Sequence, residues 1–544
     1  MRITGCGHAS VLIETAHGSV LTDPWVNPAY FGSWFPFPDN SPAAPGLDWD
    51  VLGQADYLYV SHLHRDHFDP EHLRRYISKQ TTVLLPEFPT SELEDALREC
   101  GFTSFVKPAS GEIVSLDGLD IMIQALTSPT DGPIGDSSLW LSDGHYRVLN
   151  QNDARPSELE AFRELGPVDV YLIQFSGAIW FPMVYELPTR AKAAMGLTKR
   201  ERQFDRTLRY IEELDAAYVF PSAGPPCFLD EELWGFNDIF GDESNIFPDQ
   251  LVYLDWLKSK GHDEGRLLLP GTVAAVDQPG CPVVHPYDPA TIYASNDTKT
   301  VYLRDMQTRR MPEVDAARAT WPHPEVDVLL SLQEWFTPLL EESVHIAKGI
   351  DGGVRLTCED ADRGDVDILI DFVGRTVRAY DGEKVRYRFR TRRAYVEQLI
   401  HEHEIDWVNS LFLSCRFSAH RIGPYNEFVY VFFKCLSEER LNYAEGWFLE
   451  QNASEVSETI TLAGWDMQRR CPHLKADLSR FGTVEDGVMT CQMHGWKWRL
   501  ADGKCLTSVG HNLRCAPEGQ PVPGTEPVPH DEHHGHHDAE SIDG

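Results

Sequence analysis

Two stretches of this 544-residue chain concentrate side chains that bind metals. Near the end, Cys471-Pro472-His473 is followed by Cys491-Gln492-Met493-His494, and each stretch pairs one thiolate with one imidazole. Cys471 and Cys491 on one iron, with His473 and His494 on the other, make the ligand set of a mixed-ligand 2Fe–2S cluster, in which neutral His raises the reduction potential. Tetrahedral zinc accepts the same four residue types. Zinc fingers, however, pair Cys with Cys and His with His, so the mixed pairs favour the cluster. Near the start, Ser61-His62-Leu63-His64-Arg65-Asp66-His67 follows the strand-like run Asp56-Tyr57-Leu58-Tyr59-Val60. Three imidazoles and a carboxylate in a loop after a strand can converge on one or two metal ions. A carrier of single electrons calls for a consumer, and this loop is the candidate.

The elements that must position these groups follow from period and punctuation. Residues 9–15 and 19–22 form a hairpin around His17-Gly18. Helices near 70–78 and 90–100 alternate with strands near 82–85 and 102–106. Strands at 121–126, 138–141 and 146–150 then precede a helix at 157–165 and a strand at 168–174. That order predicts a layered α/β domain over residues 1–290. Residues 291–443 hold a Pro-rich connector and a small α+β domain, similar to sterol-carrier-like folds. Its predicted parts are a helix at 326–347, strands at 367–372, 376–380 and 385–389 with Asp381-Gly382 as the turn into the last, a helix at 393–403, and strands at 411–417 and 428–433. Residues 444–521 read as an all-β domain of short strands carrying the Cys/His pairs.

Two further His-rich stretches read as solvated surface. On a helix, His401-Glu402-His403-Glu404 spreads its side chains over different faces, and only Glu397, His401 and Glu404 align. The acidic Pro/Gly/His-rich tail 522–544, with His533, His534, His536 and His537, has the composition of disorder.

Bulk properties narrow the partners. The length implies two to four domains. A net charge of −36 argues against nucleic acid or an anionic membrane, both of which need a basic face. An anionic substrate would need a local Lys/Arg pocket. No stretch approaches 18 consecutive apolar residues, and the first residues lack the apolar core of a signal peptide. The 11 Cys are scattered, and those outside the cluster read as buried or free thiols of a cytoplasmic protein.

The loop Ser61–His67 resembles that of the metallo-β-lactamase superfamily. The resemblance implies that His62 and His64 serve one metal, Asp66 and His67 another, and that Asp153 is the later bridging carboxylate. This chain departs from the superfamily's hydrolases. No His lies between His72 and His145, and Ser222-Ala223-Gly224-Pro225 stands where a last His is expected. What remains, His62, His64 and Asp153, has the composition of the facial triad of non-haem iron oxygenases. Asp66 and His67 would support it or hold a second ion, and Asp131 or Asp136 would fill the vacant place. The ending His494-Gly495-Trp496 resembles Rieske oxygenases and ferredoxins, and Leu474 and Met493 stand where respiratory Rieske proteins carry an additional disulfide.

A metallo-β-lactamase-like domain joined to a Rieske domain resembles the CMP-N-acetylneuraminate hydroxylase family. Thr22-Asp23-Pro24-Trp25, Leu149-Asn150-Gln151-Asn152-Asp153-Ala154-Arg155-Pro156, Phe175-Ser176-Gly177-Ala178-Ile179-Trp180-Phe181-Pro182-Met183 and His8 support the likeness. In that family the Rieske domain comes first; here it is last. The resemblance implies an O2-dependent monooxygenase with a 2Fe–2S cluster and one or two non-haem irons, acting on a nucleotide-activated amino sugar or related small molecule. Asp66, His67 and Asp153 are then the catalytic candidates. Expected partners are an external donor (ferredoxin, cytochrome or flavin reductase) and a second copy of the chain. A metal-dependent hydrolase and an electron-transfer or redox-sensing protein are the competing readings.

Overall fold

The computed structural model describes residues 1–523 apart from 129–131, 158, 178, 240, 322–325, 454–457, 474, 493–494 and 509–510. Asp131, Leu474, Met493, His494 and the four His of the tail therefore lie outside the described residues. The expected α/β sandwich is present. An eight-stranded sheet runs Val283–Val284, Val273–Ala275, Arg2–Gly7, Ser10–Thr15, Gly18–Thr22, Tyr57–Tyr59, Thr82–Leu84, Phe105–Val106. A six-stranded sheet runs Tyr218–Ser222, Val170–Gln174, Arg147–Asn152, Gly132–Ser142, Leu119–Ser128, Ile113–Leu116. Inward-facing Ile3, Val11, Ile13 and Val20 meet Ile121, Ile123, Leu139 and Val170 in a core closed to water. Helices cover the outer faces, among them the 26-residue Thr189–Leu214.

The strand Tyr57–Tyr59 lies parallel to both neighbours, and Arg147–Asn152 is parallel to Val170–Gln174. Parallel strands bring their C-terminal ends to one edge of the sheet, where ligands bind. The His-rich loop, Asp153 and Gln174 all sit at such ends.

The middle domain differs from expectation in five ways. Its five-stranded sheet runs Thr376–Ala379, Val366–Asp371, Gly353–Glu359, Tyr387–Arg392, Phe417–Arg421. The unanticipated strand Gly353–Glu359 takes the centre, and Tyr387–Arg392 crosses over to pair with it in parallel rather than turning back on Thr376–Ala379. Residues 428–433, expected as a strand, belong to the helix Glu427–Lys434, capped by the Asn426 side chain, which accepts from Phe428 N. All but Phe428 of its eight residues are buried, so the run is apolar on every side, and period alone cannot tell such a segment from a buried strand. Residues 408–412 are likewise helical, and the strand there begins at Phe417. The predicted helix 326–347 is two, Val328–Glu342 and His345–Ile350. Glu397 is committed to Arg363 and Arg393, and His403 stacks on Trp335, so the His401–Glu404 stretch is structural.

The last domain opens after the helix Glu438–Ala453 and holds a three-stranded and a four-stranded sheet. None of the 11 Cys is in a disulfide. Its core is shared: Met467, Phe481 and Trp498 cluster with Phe162, Phe204 and Tyr210 of the first domain.

The connector helix Asn296–Arg318 is clamped to the first domain through buried Asp39. Arg309 Nη1 and Arg310 Nη1 reach its carboxylate at 2.6 and 3.0 Å. Burial raises the Asp39 carboxyl, but the two guanidinium groups outweigh it and hold it below its ordinary value. Arg310→Ala leaves a buried carboxylate with a half-exposed partner and should cost about 3 kcal/mol in urea unfolding. As pH falls the unfolded chain takes up this proton first. The clamp's contribution is thus complete above about pH 4 and fades below it, and the variant should lose that acid dependence.

Candidate active site

The His-rich loop is tied down by its own neighbours. Asp23, with φ of 37°, accepts from Ser61 N at 2.7 Å and from Ser61 Oγ at 2.8 Å. Ser61 Oγ also lies 2.9 Å from His62 Nδ1, and Asp23 Oδ2 lies 3.1 Å from His67 Nδ1. One nitrogen of each ring is thereby fixed, as in metal-ligating His whose other nitrogen is held by a carboxylate or hydroxyl. The opposite atoms, His62 Nε2 and His67 Nε2, are buried without a hydrogen-bond partner among the described residues. Two orphaned imidazole nitrogens facing buried carboxylates fit a metal ion.

Three groups of possible ligand atoms close to within 4.8 Å of one another among the described residues: His62, His64 and Asp136; His62, His67 and Asp153; His8, Asp66 and His67. The first two are each two imidazoles and one carboxylate, and they share His62. The expected pair His62 and His64 thus closes with Asp136, while Asp153 closes with His62 and His67. Asp136 Oδ1 is 3.6 Å from His62 Nε2, and Asp153 Oδ2 is 3.6 Å from His67 Nε2. Asp136 is re-aimed by a β-bulge between Gly132 and Asp136 in the pairing with Leu119–Ser128. Gly135 permits it, since a Cβ there would stand 1.8 Å from Leu126 O.

The electrostatics favour neutral imidazoles at His62 and His64 beside an ionised Asp66, the state in which these groups bind metals, and a charged ring at His67. Burial, with His64 and His67 nearby, holds His62 well below its usual range. Burial pulls His64 down to about 4. Burial opposes the charge of Asp66, yet His67 and His8 hold it well below the usual carboxylate range. Burial lowers His67 too, but Asp153, Asp23 and Asp66 outweigh it and push the ring up. Those three carboxylates demand a cation, which is a proton on His67 or a metal. Gln174 Nε2 donates to Asp153 Oδ1 at 2.6 Å, Tyr30 OH donates to Asp66 Oδ1 at 2.5 Å, and His8 Nε2 sits 3.1 Å from Asp66 Oδ2.

The cluster loops are built on backbone turns. Cys471 N donates to Ala476 O and Lys475 N to Cys471 O, while Gly495 N donates to Cys491 O at 2.8 Å. Cys471, His473 and Cys491 are buried, and Trp496 stacks on His473 with centroids 3.8 Å apart. Buried Glu427 lies 3.0 Å from His473 Nε2 and also pairs with His511 Nε2. With Nε2 so committed, Nδ1 is the ring nitrogen that would hold a cluster iron. Burial raises the Glu427 carboxyl, but His473 and His511 bring it down to about 2. Two thiolates and an oriented imidazole fit the cluster.

Glu427 begins the helix whose last residue is Lys434, and the charge of Lys434 is felt at His62 and His64. Eight residues at 1.5 Å each make this helix a bridge about 12 Å long between the two sites. A single cavity of about 940 Å³ is lined by His64, Asp66, Asp136 and Asp153 and also by His473, Gln492, Gly495 and Trp496. Sequence reasoning missed Glu427, Gln174 and Tyr30. None sits in a metal-like pattern.

Comparison with known proteins agrees with this layout. A Beta-lactamase superfamily domain matches residues 2–200, an Rv3818-like, SCP2-like domain residues 328–450, and a Rieske [2Fe-2S] domain residues 466–516, the stretch that contains Cys471, His473, Cys491 and His494. A Rieske 2Fe-2S iron-sulfur protein of Mycolicibacterium smegmatis is 49% identical over 526 residues, 95% of this chain and 99% of that one. Rv3818 of Mycobacterium tuberculosis H37Rv is 49% identical over 94% of this chain and 99% of its own. The cytidine monophosphate-N-acetylneuraminic acid hydroxylase of Asterias rubens is 37% identical over 71 residues, 13% of this chain and 10% of that one, so that likeness is partial. Among solved structures, CmlA, a diiron beta-hydroxylase from Streptomyces venezuelae, overlays with a TM-score of 0.32 at 18% identity, covering 49% of this chain and 53% of that one. No helix among the described residues is long and apolar enough to cross a membrane.

Proposed function

The chain belongs to the family of the mycobacterial Rieske 2Fe-2S iron-sulfur proteins of the Rv3818 type, and from that premise we propose that it is an O2-dependent monooxygenase taking electrons from an external donor. Bound at the sites described, a 2Fe–2S cluster supplies single electrons and non-haem iron supplies O2 activation. The observation that carries this reading is the shared cavity: one space is lined by the imidazole of His473 and by the carboxylates of Asp66, Asp136 and Asp153. A hydrolase has no use for that adjacency.

The chain's own residues then have definite tasks. Ser61 and Asp23 hold His62 and His67 in one orientation, and Gln174 does the same for Asp153. Glu427 fixes His473. Ile179, Trp180, Phe181 and Val431 give the cavity its apolar wall, which excludes water and orients a small molecule. A C–H or amine nitrogen of the substrate is the atom to be oxygenated, and a nucleotide-activated amino sugar is one substrate of suitable kind.

Anaerobic titration of Fe(II) into protein with an intact cluster and an empty metal loop should raise its melting temperature, by about 2.7 kcal/mol of stabilisation at a hundredfold excess over Kd. The deciding experiment combines metal analysis with O2 uptake. Iron in the loop and substrate-dependent O2 consumption are expected. A loop holding zinc alone, with ester or phosphodiester cleavage, would establish the hydrolase instead.

A further inference from the structure

The shared cavity has a third wall, which neither metal site uses. Lys199, Arg202 and Arg206 stand at spacings of three and four on the long helix Thr189–Leu214, so they share one face, and all three line the cavity together with Arg155. Among the described residues, Lys199, Arg202 and Arg155 have no carboxylate within ion-pairing distance. Among those residues Lys199 makes no hydrogen bond either, Arg155 Nε is buried without a partner, and so is Gln203 Oε1 on the same helix. The acids of the cavity, Asp66, Asp136 and Asp153, are the metal ligands. In a chain of net charge −36 this is an unusual place to leave cations uncompensated.

We propose that this face of the helix is an anion subsite, and that the substrate carries a phosphate or carboxylate group held by Lys199, Arg202, Arg206 and Arg155 while its reacting end faces the metal loop. The proposal deepens the oxygenase reading and rests on the same cavity. The ligand-free site is costly to keep. Burial, with Arg155 and Arg206 adding repulsion, pulls Lys199 down to about 7, and burial brings Arg206 down to about 9. A multiply charged anion relieves both the burial and the repulsion, through charge-assisted hydrogen bonds. The subsite is also wired to both centres. Arg155 Nη2 donates to Gln174 Oε1 at 3.2 Å, and Gln174 in turn donates to Asp153. Arg202 Nη1 reaches Gly495 O at 3.5 Å, in the cluster loop. Gly495, at φ of 71°, allows that approach, since a Cβ would stand 2.6 Å from Arg202 Nη1.

The test is a titration of the full chain, cluster and iron in place, with pyrophosphate and separately with succinate, at constant ionic strength. Melting temperature and the cluster's EPR signal are the two readouts. One of the two anions should stabilise saturably and shift the EPR signal, which identifies phosphate or carboxylate as the group recognised. Lys199→Met and Arg202→Gln should each weaken that binding about tenfold, the scale of one charged hydrogen bond, and Arg202→Gln should also abolish the EPR shift. Lys199→Met removes a half-buried charge that its neighbours repel and so should fold at least as well as the parent. Protein with an intact cluster and an empty metal loop should bind the anion as before, which excludes direct capture by iron. Absence of saturable binding, or equal binding in all variants, overturns the subsite. If the metal loop proves iron-free while anion binding persists, the oxygenase reading falls and the subsite stands.

Discussion

Asp153→Ala will abolish oxygenation while leaving the cluster untouched. Asp153 supplies the only carboxylate of the group it forms with His62 and His67, and Gln174 holds its other oxygen. Without it His62 and His67 keep their orienting bonds to Ser61 and Asp23, so the loop should stay folded. A two-imidazole remnant binds iron poorly and in the wrong geometry. Product formation should drop by at least about 10³-fold, the scale of losing one fixed charge at a reacting centre, while the visible and EPR spectra of the cluster stay those of the parent. Undiminished turnover would remove Asp153 from the metal site. Asp136→Ala should behave alike if His62 and His64 hold the working ion. Comparing iron content across the two variants therefore shows whether one ion or two are bound.

Glu427→Gln acts at the other end of the bridging helix. If His473 holds the cluster as proposed, a buried carboxylate beside its Nε2 makes that ligand more basic and stabilises the oxidised cluster. The amide keeps the shape and removes the charge. A hydrogen bond to a charged group is worth roughly 1.5–3 kcal/mol, and for one electron about 1.4 kcal/mol corresponds to 59 mV. The reduction potential should therefore rise by about 60–130 mV, with a fall in turnover because the electron is held more tightly. Glu427→Asp should recover part of both. A potential within 20 mV (about a third of the smallest expected shift) of the parent's would make Glu427 a packing residue only.

Ligands that are neighbours in the chain were the legible part of the site. His62, His64, Asp66 and His67 lie within one loop, and the strand before them is plain from its composition, so their convergence is a local matter. The pairs around Cys471 and Cys491 are legible for the same reason. Asp136 is different: its aim comes from a β-bulge, a backbone event that leaves only Gly135 as a trace. Glu427 reads as the flank of an apolar run, because its partners His473 and His511 come from a domain folded against it. The cations at 199, 202 and 206 show a helical spacing, but only the packed structure tells that this face looks into a cavity rather than into water. Mistaking residues 428–433 for a strand had a large geometric effect. Eight extended residues would span about 26 Å, against about 12 Å for the helix, and the shorter rod is what brings cluster and metal loop to one space.

The walls of that space come from the first, middle and last parts of the polypeptide. During synthesis the His-rich loop leaves the ribosome about 430 residues before Trp496, roughly 20–90 s at ~5–20 residues per second. Over that interval the loop stands open to bulk water and to whatever metal the cell offers, with no pocket to confine a reactive oxidant. The enclosure forms only when the electron-carrying module docks, so on the proposed oxygenase reading the nascent protein cannot begin risky oxygen chemistry before the means to control it has arrived.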